Sequence, residues 1–226
     1  MAPTRPLEGR RLLPVAWWSA AALSWVASAL VLAGLAWRLH RTGSGGRVDL
    51  ALDHHLTQGL AAHRLVLGRL VALGSPSFVI GASVVLSLGA AALRWGRGAV
   101  LGLVGAPLAG AATDLALKPF VTSHAPVGPN GKPLAFPSGH TTGAFAVALV
   151  LTVLLLPGRA TTPVPALLRL ALGVVALGLA AGTAAAMVAL NYHRTTDVVG
   201  GFATATLVVL AVAAAVDLVA QRRQRR

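Results

Sequence analysis

The sequence contains no cysteine, which excludes disulfides, a thiolate nucleophile and a cysteine-based zinc site, and leaves the redox compartment open. Charge is scarce as well: 11% of the 226 residues are charged, against about 25% in a typical soluble domain. With 56% hydrophobic residues, such a chain cannot hide its apolar surface in one water-soluble core, and lipid must be part of its solvent. Acidic residues are scarcer than basic ones, 6 against 19, for a formal net charge of +13. In a soluble protein that excess would point to nucleic acid. Here the basic residues lie between and beyond the apolar runs, where helix ends meet anionic headgroups, so the expected partner is the bilayer and not DNA or RNA.

What the chain does have is a series of apolar runs. The first, Pro14 to Trp37, follows Arg5, Arg10 and Arg11. It exceeds the roughly 7 to 15 residues of a signal-peptide core and lacks a small-residue cleavage site near its end, so it reads as a retained span. Val48 to Leu73 places Leu52, Leu56 and Leu60 at four-residue spacing beside Asp53, His54, His63 and Arg64, the pattern of an amphipathic helix lying at the interface. Ser75 to Leu93, Ala99 to Leu117, Thr141 to Leu156, Ala166 to Leu190 and Val198 to Val216 can each span a bilayer if extended or tilted. The expected fold is all-α: an integral membrane bundle of about six transmembrane helices forming a single domain over 1–226, with the first span and the interfacial helix in 1–74. Six spans put both termini on one side, and Arg5, Arg10, Arg11, Arg222, Arg223, Arg225 and Arg226 assign that side to the cytoplasm. Arg94, Arg97 and Arg159 agree, whereas Arg38, Arg41 and Arg47 run against the rule. On this topology the connections Lys118 to Pro137 and Asn191 to Thr196 open together on the outer face.

Those two connections hold the polar residues that carry chemistry. Any one of them alone reads equally well as an interface anchor; their combination is what points to a site. His193 and Asp197 are four apart and share one face of a helical turn, so a carboxylate can hold one ring nitrogen and leave the other free to attack. A pair that merely caps the last helix is the structural alternative. Pro137 and Ser138 start a helix as breaker then cap, and the N–H groups around Gly139 form a natural anion site beside His140, a candidate proton donor. Lys118 offers a fixed positive charge to phosphate oxygens, or else snorkels to the interface. Asp114, one turn earlier, is costly in lipid, so it is expected to face the bundle and to pair with Lys118. Asp53, His54, His55 and His63 do not converge as metal ligands on a helix, and neither a metal nor a cofactor is expected.

At these residues the sequence resembles the type 2 phosphatidic acid phosphatase superfamily, which includes lipid phosphate phosphatases and bacterial undecaprenyl diphosphate phosphatases of the cell envelope. The family pattern is K-x(6)-R-P, then P-S-G-H, then S-R-x(5)-H-x(3)-D. Lys118 and Pro126 match the ends of the first element, Pro137-Ser138-Gly139-His140 the whole of the second, and His193 with Asp197 the third, over a phosphatase-like core of 75–216. The resemblance implies a metal-independent, multi-pass cell-membrane enzyme acting on an isoprenoid or glycerolipid phosphate or diphosphate, with its site on the extracytoplasmic face. By the same resemblance His193 is the nucleophile that becomes phosphohistidine, Asp197 orients it, and His140 protonates the leaving oxygen. Lys118, Ser138 and the Gly139 amide then stabilise the phosphate oxygens. The family's first arginine falls at Ala125, and its Ser-Arg pair at Ala186 and Met187. Two uncompensated losses of that kind would cost on the order of 10² to 10⁴ in rate. Arg194, His124 and Lys132 are the candidate replacements for that grip, and a non-catalytic lipid-phosphate binder or transporter with a degenerate site is the competing expectation.

Overall fold

The structure is a computed structural model that describes residues 10–42, 46–121, 135–156 and 165–226. All regular structure among the described residues is helical. Helix α1 (Trp18–Thr42) follows a 3₁₀ turn, Val15–Trp17, that starts at Pro14. Next come α2 (Arg47–Leu60), a 3₁₀ turn at Ala61–His63, and α3 (Arg64–Ala72). Helix α4 (Pro76–Ala92) has the start that its sequence encodes. Pro occupies the first helical position, and the Ser75 Oγ cap accepts the Phe78 N–H at 3.3 Å. Helix α5 (Gly96–Ala111) runs on through a π-helical segment, Ala112–Leu117, into the single turn α6 (Lys118–Phe120). Pro119 cannot donate a backbone hydrogen bond, which helps to explain why the regular ladder is lost just before it. Helices α7 (Gly139–Leu155), α8 (Ala166–Ala189) and α9 (Thr195–Gln224) complete the chain.

Four of these are long and apolar enough to cross a membrane: Val15–Thr42, Gly96–Phe120, Ala166–Ala189 and Thr195–Gln224. The pair α3–α4, bent by 53°, is long and apolar enough for a fifth only if its two helices are taken together as one span. Helix α7, apolar but only 17 residues long, is the remaining expected span and lies at the short end of the usual range. Leu23, Leu30, Val85, Leu88, Leu167 and Val174 face outward, as suits a bundle whose surroundings are hydrocarbon. Inside, Val79, Leu101, Ala109, Ala146, Val150, Ala205 and Val209 form one core joining α4, α5, α7 and α9. Alanine and glycine at these contacts let the helices approach closely, which is how packing rather than water drives association in lipid.

The expected interfacial helix over 48–73 is not continuous. It breaks at Ala61–His63, and its leucine ladder is packed only in part: Leu52 is 44% exposed, whereas Leu56 packs against Met187 and Tyr192, Leu60 packs with Leu67, Ala186 and Ala189, and Asp49 and Asp53 bond to α9. Hydrogen bonds to the start of α9 and the contacts of Leu56 and Leu60 together hold α2. From α3 to α4 the chain bends by 53°. There Gly74 lies directly on the His140 backbone, where any side chain would collide.

At the end of the bundle opposite His140, the two ends of the chain are joined by one carboxylate. Asp217 accepts the Leu12 and Leu13 N–H groups, each at 3.0 Å, and the Arg97 guanidinium at 3.2 Å, with both side chains buried. Arg97 is thus not an interface cation, as its position between spans suggests, but half of an internal ion pair. Arg10 adds a second strap, stacking 4.6 Å over Trp95, whose indole N–H donates to the Arg10 carbonyl at 3.2 Å. Removing one partner of a buried pair strands the other charge, so Asp217→Ala is expected to destabilise the fold by about 3–5 kcal/mol. Chemical unfolding in detergent micelles measures this; an Ala variant as stable as the parent would show that Arg97 finds another partner or reaches water.

Candidate active site

The site is assembled where three chain segments meet at one end of the bundle. Phe136, Pro137 and Ser138 are buried in the approach to α7, and Ser138 caps that helix, its Oγ accepting the Thr141 N–H at 3.4 Å. Its own N–H donates to the Asp197 carbonyl at 3.0 Å, and its carbonyl accepts the Thr142 hydroxyl at 2.9 Å. These bonds couple the start of α7 to the start of α9. Contact this close needs Gly201, because a Cβ there would stand 2.8 Å from the Ser138 carbonyl oxygen.

His193 lies in the tight turn between α8 and α9. Its N–H and that of Tyr192 both donate to the Met187 carbonyl, at 3.1 and 2.9 Å. Its ring Nδ1 is 3.2 Å from Asp197 Oδ2, and the same oxygen accepts the Arg194 N–H at 3.0 Å. A carboxylate accepts only, so this contact assigns the ring proton to Nδ1 and leaves the Nε2 lone pair unprotonated in the neutral ring. Asp197 is buried, which keeps water from competing for that bond.

On the facing wall, Lys118 Nζ is 2.5 Å from Asp114 Oδ1, the expected pair. Asp114 is not enclosed by the bundle, however: its side chain is 59% exposed and opens into the site. The π-helical segment carries Asp114 and hands the chain on to Lys118. A Cβ built on Gly139 would sit 3.5 Å from Lys118 Nζ and 3.6 Å from Asp114 Oδ1, so the start of α7, the cation and the carboxylate converge on one point.

Asp114, Lys118, Gly139, His140 and His193 line a single cavity of about 340 Å³ whose remaining walls, including Pro76, Ile80, Ala106, Pro107 and Ala111, are apolar. One end can hold an anion between a lysine, backbone amides and two imidazoles, while the rest accepts hydrocarbon. Of the other residues singled out in the sequence, Asp197 stands behind His193. Ser138 is fully buried and spends its hydroxyl oxygen on the cap, and Arg194 is the N-cap of α9; neither is among the described residues lining the cavity. His124, Ala125, Pro126 and Lys132 lie outside the described residues. Met187, in the position of a family arginine, packs with Leu56, Val71, Tyr192 and Val198, and Ala186 packs against Leu67. Two residues that the sequence did not single out as site residues, Asp49 and Asp53, also reach the start of α9. Their i,i+4 spacing on an amphipathic helix was the visible signal.

Residues 99–219 match the family model described as the PAP2 superfamily. Among solved structures, the crystal structure of a transmembrane PAP2 type phosphatidylglycerolphosphate phosphatase from Bacillus subtilis shares the fold at a TM-score of 0.59. The sequence identity is 22%, over 83% of this chain and 92% of that one. No curated protein matches the sequence significantly.

Proposed function

Because the chain belongs to the PAP2 superfamily, a phosphatase family, we propose that it is a membrane phosphatase hydrolysing a lipid phosphate or diphosphate, of isoprenoid or glycerolipid type, through a phosphohistidine. The observation that carries this reading is the placing of His193, backed by Asp197, on the wall of a cavity that holds a lysine and two imidazoles at one end and is apolar elsewhere. In the proposed reaction the His193 Nε2 lone pair attacks phosphorus, the bond from phosphorus to the lipid oxygen breaks, and His140 supplies the proton to that oxygen. Water, deprotonated by His140, then cleaves the P–N bond and releases phosphate. Lys118 and the amides at the start of α7 stabilise the equatorial oxygens, and Arg194, adjacent to the nucleophile, is the proposed second cation. No metal takes part. The test is phosphate release by the purified chain from a panel of prenyl and glycerolipid phosphates, with and without chelator; activity that survives chelation is expected, and complete dependence on a divalent ion would overturn the mechanism.

A binder without catalysis is the second reading, favoured by one observation: Met187 and Ala186 are packed in apolar clusters where the family pattern places Ser-Arg. It predicts saturable binding of lipid phosphate with no release of phosphate. We place the cavity on the extracytoplasmic side and both termini in the cytoplasm, following the basic ends of the chain. The cysteine-free sequence makes this easy to test. Gly131→Cys in intact cells is expected to react with an impermeant thiol reagent and Gln224→Cys to be protected; the reverse pattern refutes the orientation.

Asp114 competes with substrate for Lys118 in this scheme. Its pair with Lys118 is partly exposed, worth about 0.5–1 kcal/mol, so Asp114→Asn should lower KM by about 2- to 5-fold and leave kcat unchanged. Steady-state kinetics decide this, and a rise in KM would mean that Asp114 positions the lysine instead.

A further inference from the structure

We propose that α2 belongs to the catalytic machinery: Asp49 and Asp53 are positioning residues that tether Thr195 and Thr196, and through them hold His193 and Asp197 in the attacking geometry. The inference rests on reading His193 and Asp197 as nucleophile and orienter. The need for a tether comes from the start of α9. The first N–H groups of a helix have no partner within it, and a side chain at the N-cap normally supplies an acceptor. Here the N-cap is Arg194, whose side chain can only donate.

The missing acceptors come from a helix more than a hundred positions earlier in the chain. Asp53 Oδ1 accepts the Thr195 N–H at 2.9 Å and the Thr195 hydroxyl at 2.7 Å. Asp49 accepts the Thr196 N–H at 2.7 Å on one oxygen and the Thr196 hydroxyl at 3.1 Å on the other. With Asp197 on the Arg194 N–H, three successive backbone donors each meet a carboxylate. Asp49 is 3% exposed, so these are bonds shielded from water. Burial pushes the Asp49 carboxyl above its ordinary value; the Thr196 N–H pulls it back, and Asp53 and Asp197 push it up again.

Three mutually repelling carboxylates beside a site for an anion are unfavourable unless something discharges them. The N–H groups and positive end of a 30-residue helix do so. The turn that carries His193 is thereby held from both sides: the Met187 carbonyl fixes the His193 N–H, and α2 fixes the two residues after Arg194. Leu56, on the same face as Asp49 and Asp53, locks α2 against Met187 and Tyr192. The family match begins at residue 99, so this tether comes from a part of the chain outside it.

The test uses the full chain in nanodiscs, with hydrolysis of a lipid phosphate and amide hydrogen exchange as two readouts. Asp49→Ala combined with Asp53→Ala should lower kcat by about 10- to 100-fold, the effect of a small misplacement of a reacting group, and leave KM within about twofold. Exchange at Thr195 and Thr196 should rise while α5 and α7 stay protected. Asp49→Asn with Asp53→Asn should restore most of kcat, because an amide oxygen still accepts from the backbone. Should the double alanine chain fail to fold, Thr195→Val with Thr196→Val removes only the hydroxyl bonds and should lower kcat by a few-fold. An unchanged kcat in the folded double alanine or double valine variant, or unchanged exchange at Thr195 and Thr196 in the alanine variant, overturns the tether. A parent chain inert toward every lipid phosphate refutes the phosphatase reading instead, while the exchange readout still decides whether α2 holds the loop.

Discussion

His193→Ala is expected to reduce lipid phosphate hydrolysis by at least about 10⁴-fold and to eliminate any trapped phosphoenzyme, a loss equivalent to more than about 5 kcal/mol of transition-state stabilisation. No other described imidazole in the cavity is hydrogen-bonded to a carboxylate: His140 lines the same cavity, but the described contact to Asp197 belongs to His193 alone. His140→Ala should therefore behave differently. With a substrate whose leaving group needs little protonation, such as an aryl phosphate, it should still form phosphoenzyme and then hydrolyse it slowly, because attack requires His193 while His140 serves the proton transfers on either side of it. Rapid quenching with labelled substrate separates the two variants. Phosphoenzyme in His193→Ala would show that another residue attacks, and its absence from both variants would favour direct attack by water.

Asp197→Asn carries the second largest expected effect, a fall in kcat of about 10³- to 10⁴-fold with the fold intact. The backbone of residue 197 keeps its bond from the Ser138 N–H, so the coupling of α7 to α9 survives. What changes is the oxygen shared by His193 Nδ1 and the Arg194 N–H. An asparagine has one acceptor where the carboxylate has two. If its oxygen stays with the Arg194 N–H, its NH₂ faces Nδ1 and drives the ring proton onto Nε2, the atom that must attack. Loss of a cap costs about 1–2 kcal/mol of stability at most, so unfolding measurements should show a small shift beside the large kinetic one. Single-turnover rates give the comparison, and an Asn variant within about tenfold of the parent would mean that His193 needs no orienting carboxylate.

The helical membrane architecture was legible in the sequence because it depends on local composition. A run of apolar residues can satisfy its backbone in lipid only as a helix, so the six runs from Pro14 to Val216 became helices whatever their neighbours. The grouping of His193, Asp197, Pro137-Ser138-Gly139-His140 and Lys118 into one candidate site was legible for a related reason. Each motif is a short stretch at or just before a helix start or end, and the structure brings all three segments together at one cavity or directly behind it. The partner of Lys118 could also be read at i,i+4 spacing.

Long-range assignments of polar groups could not be read, since they depend on which helix ends meet. The chain has six acidic residues, and each of its five aspartates is committed in the fold: Asp49 to Thr196, Asp53 to Thr195, Asp114 to Lys118, Asp197 to His193, and Asp217 to Arg97 and the Leu12 and Leu13 amides. Only the two at i,i+4 spacing were predictable. For the other three, an amphipathic helix with leucines at four-residue spacing reads as an interface element, and an arginine between spans reads as a headgroup anchor. Packing adds contacts that neither reading contains, because in a low-dielectric bundle an unpaired helix N-terminus or a buried guanidinium must find a carboxylate from wherever the chain supplies one.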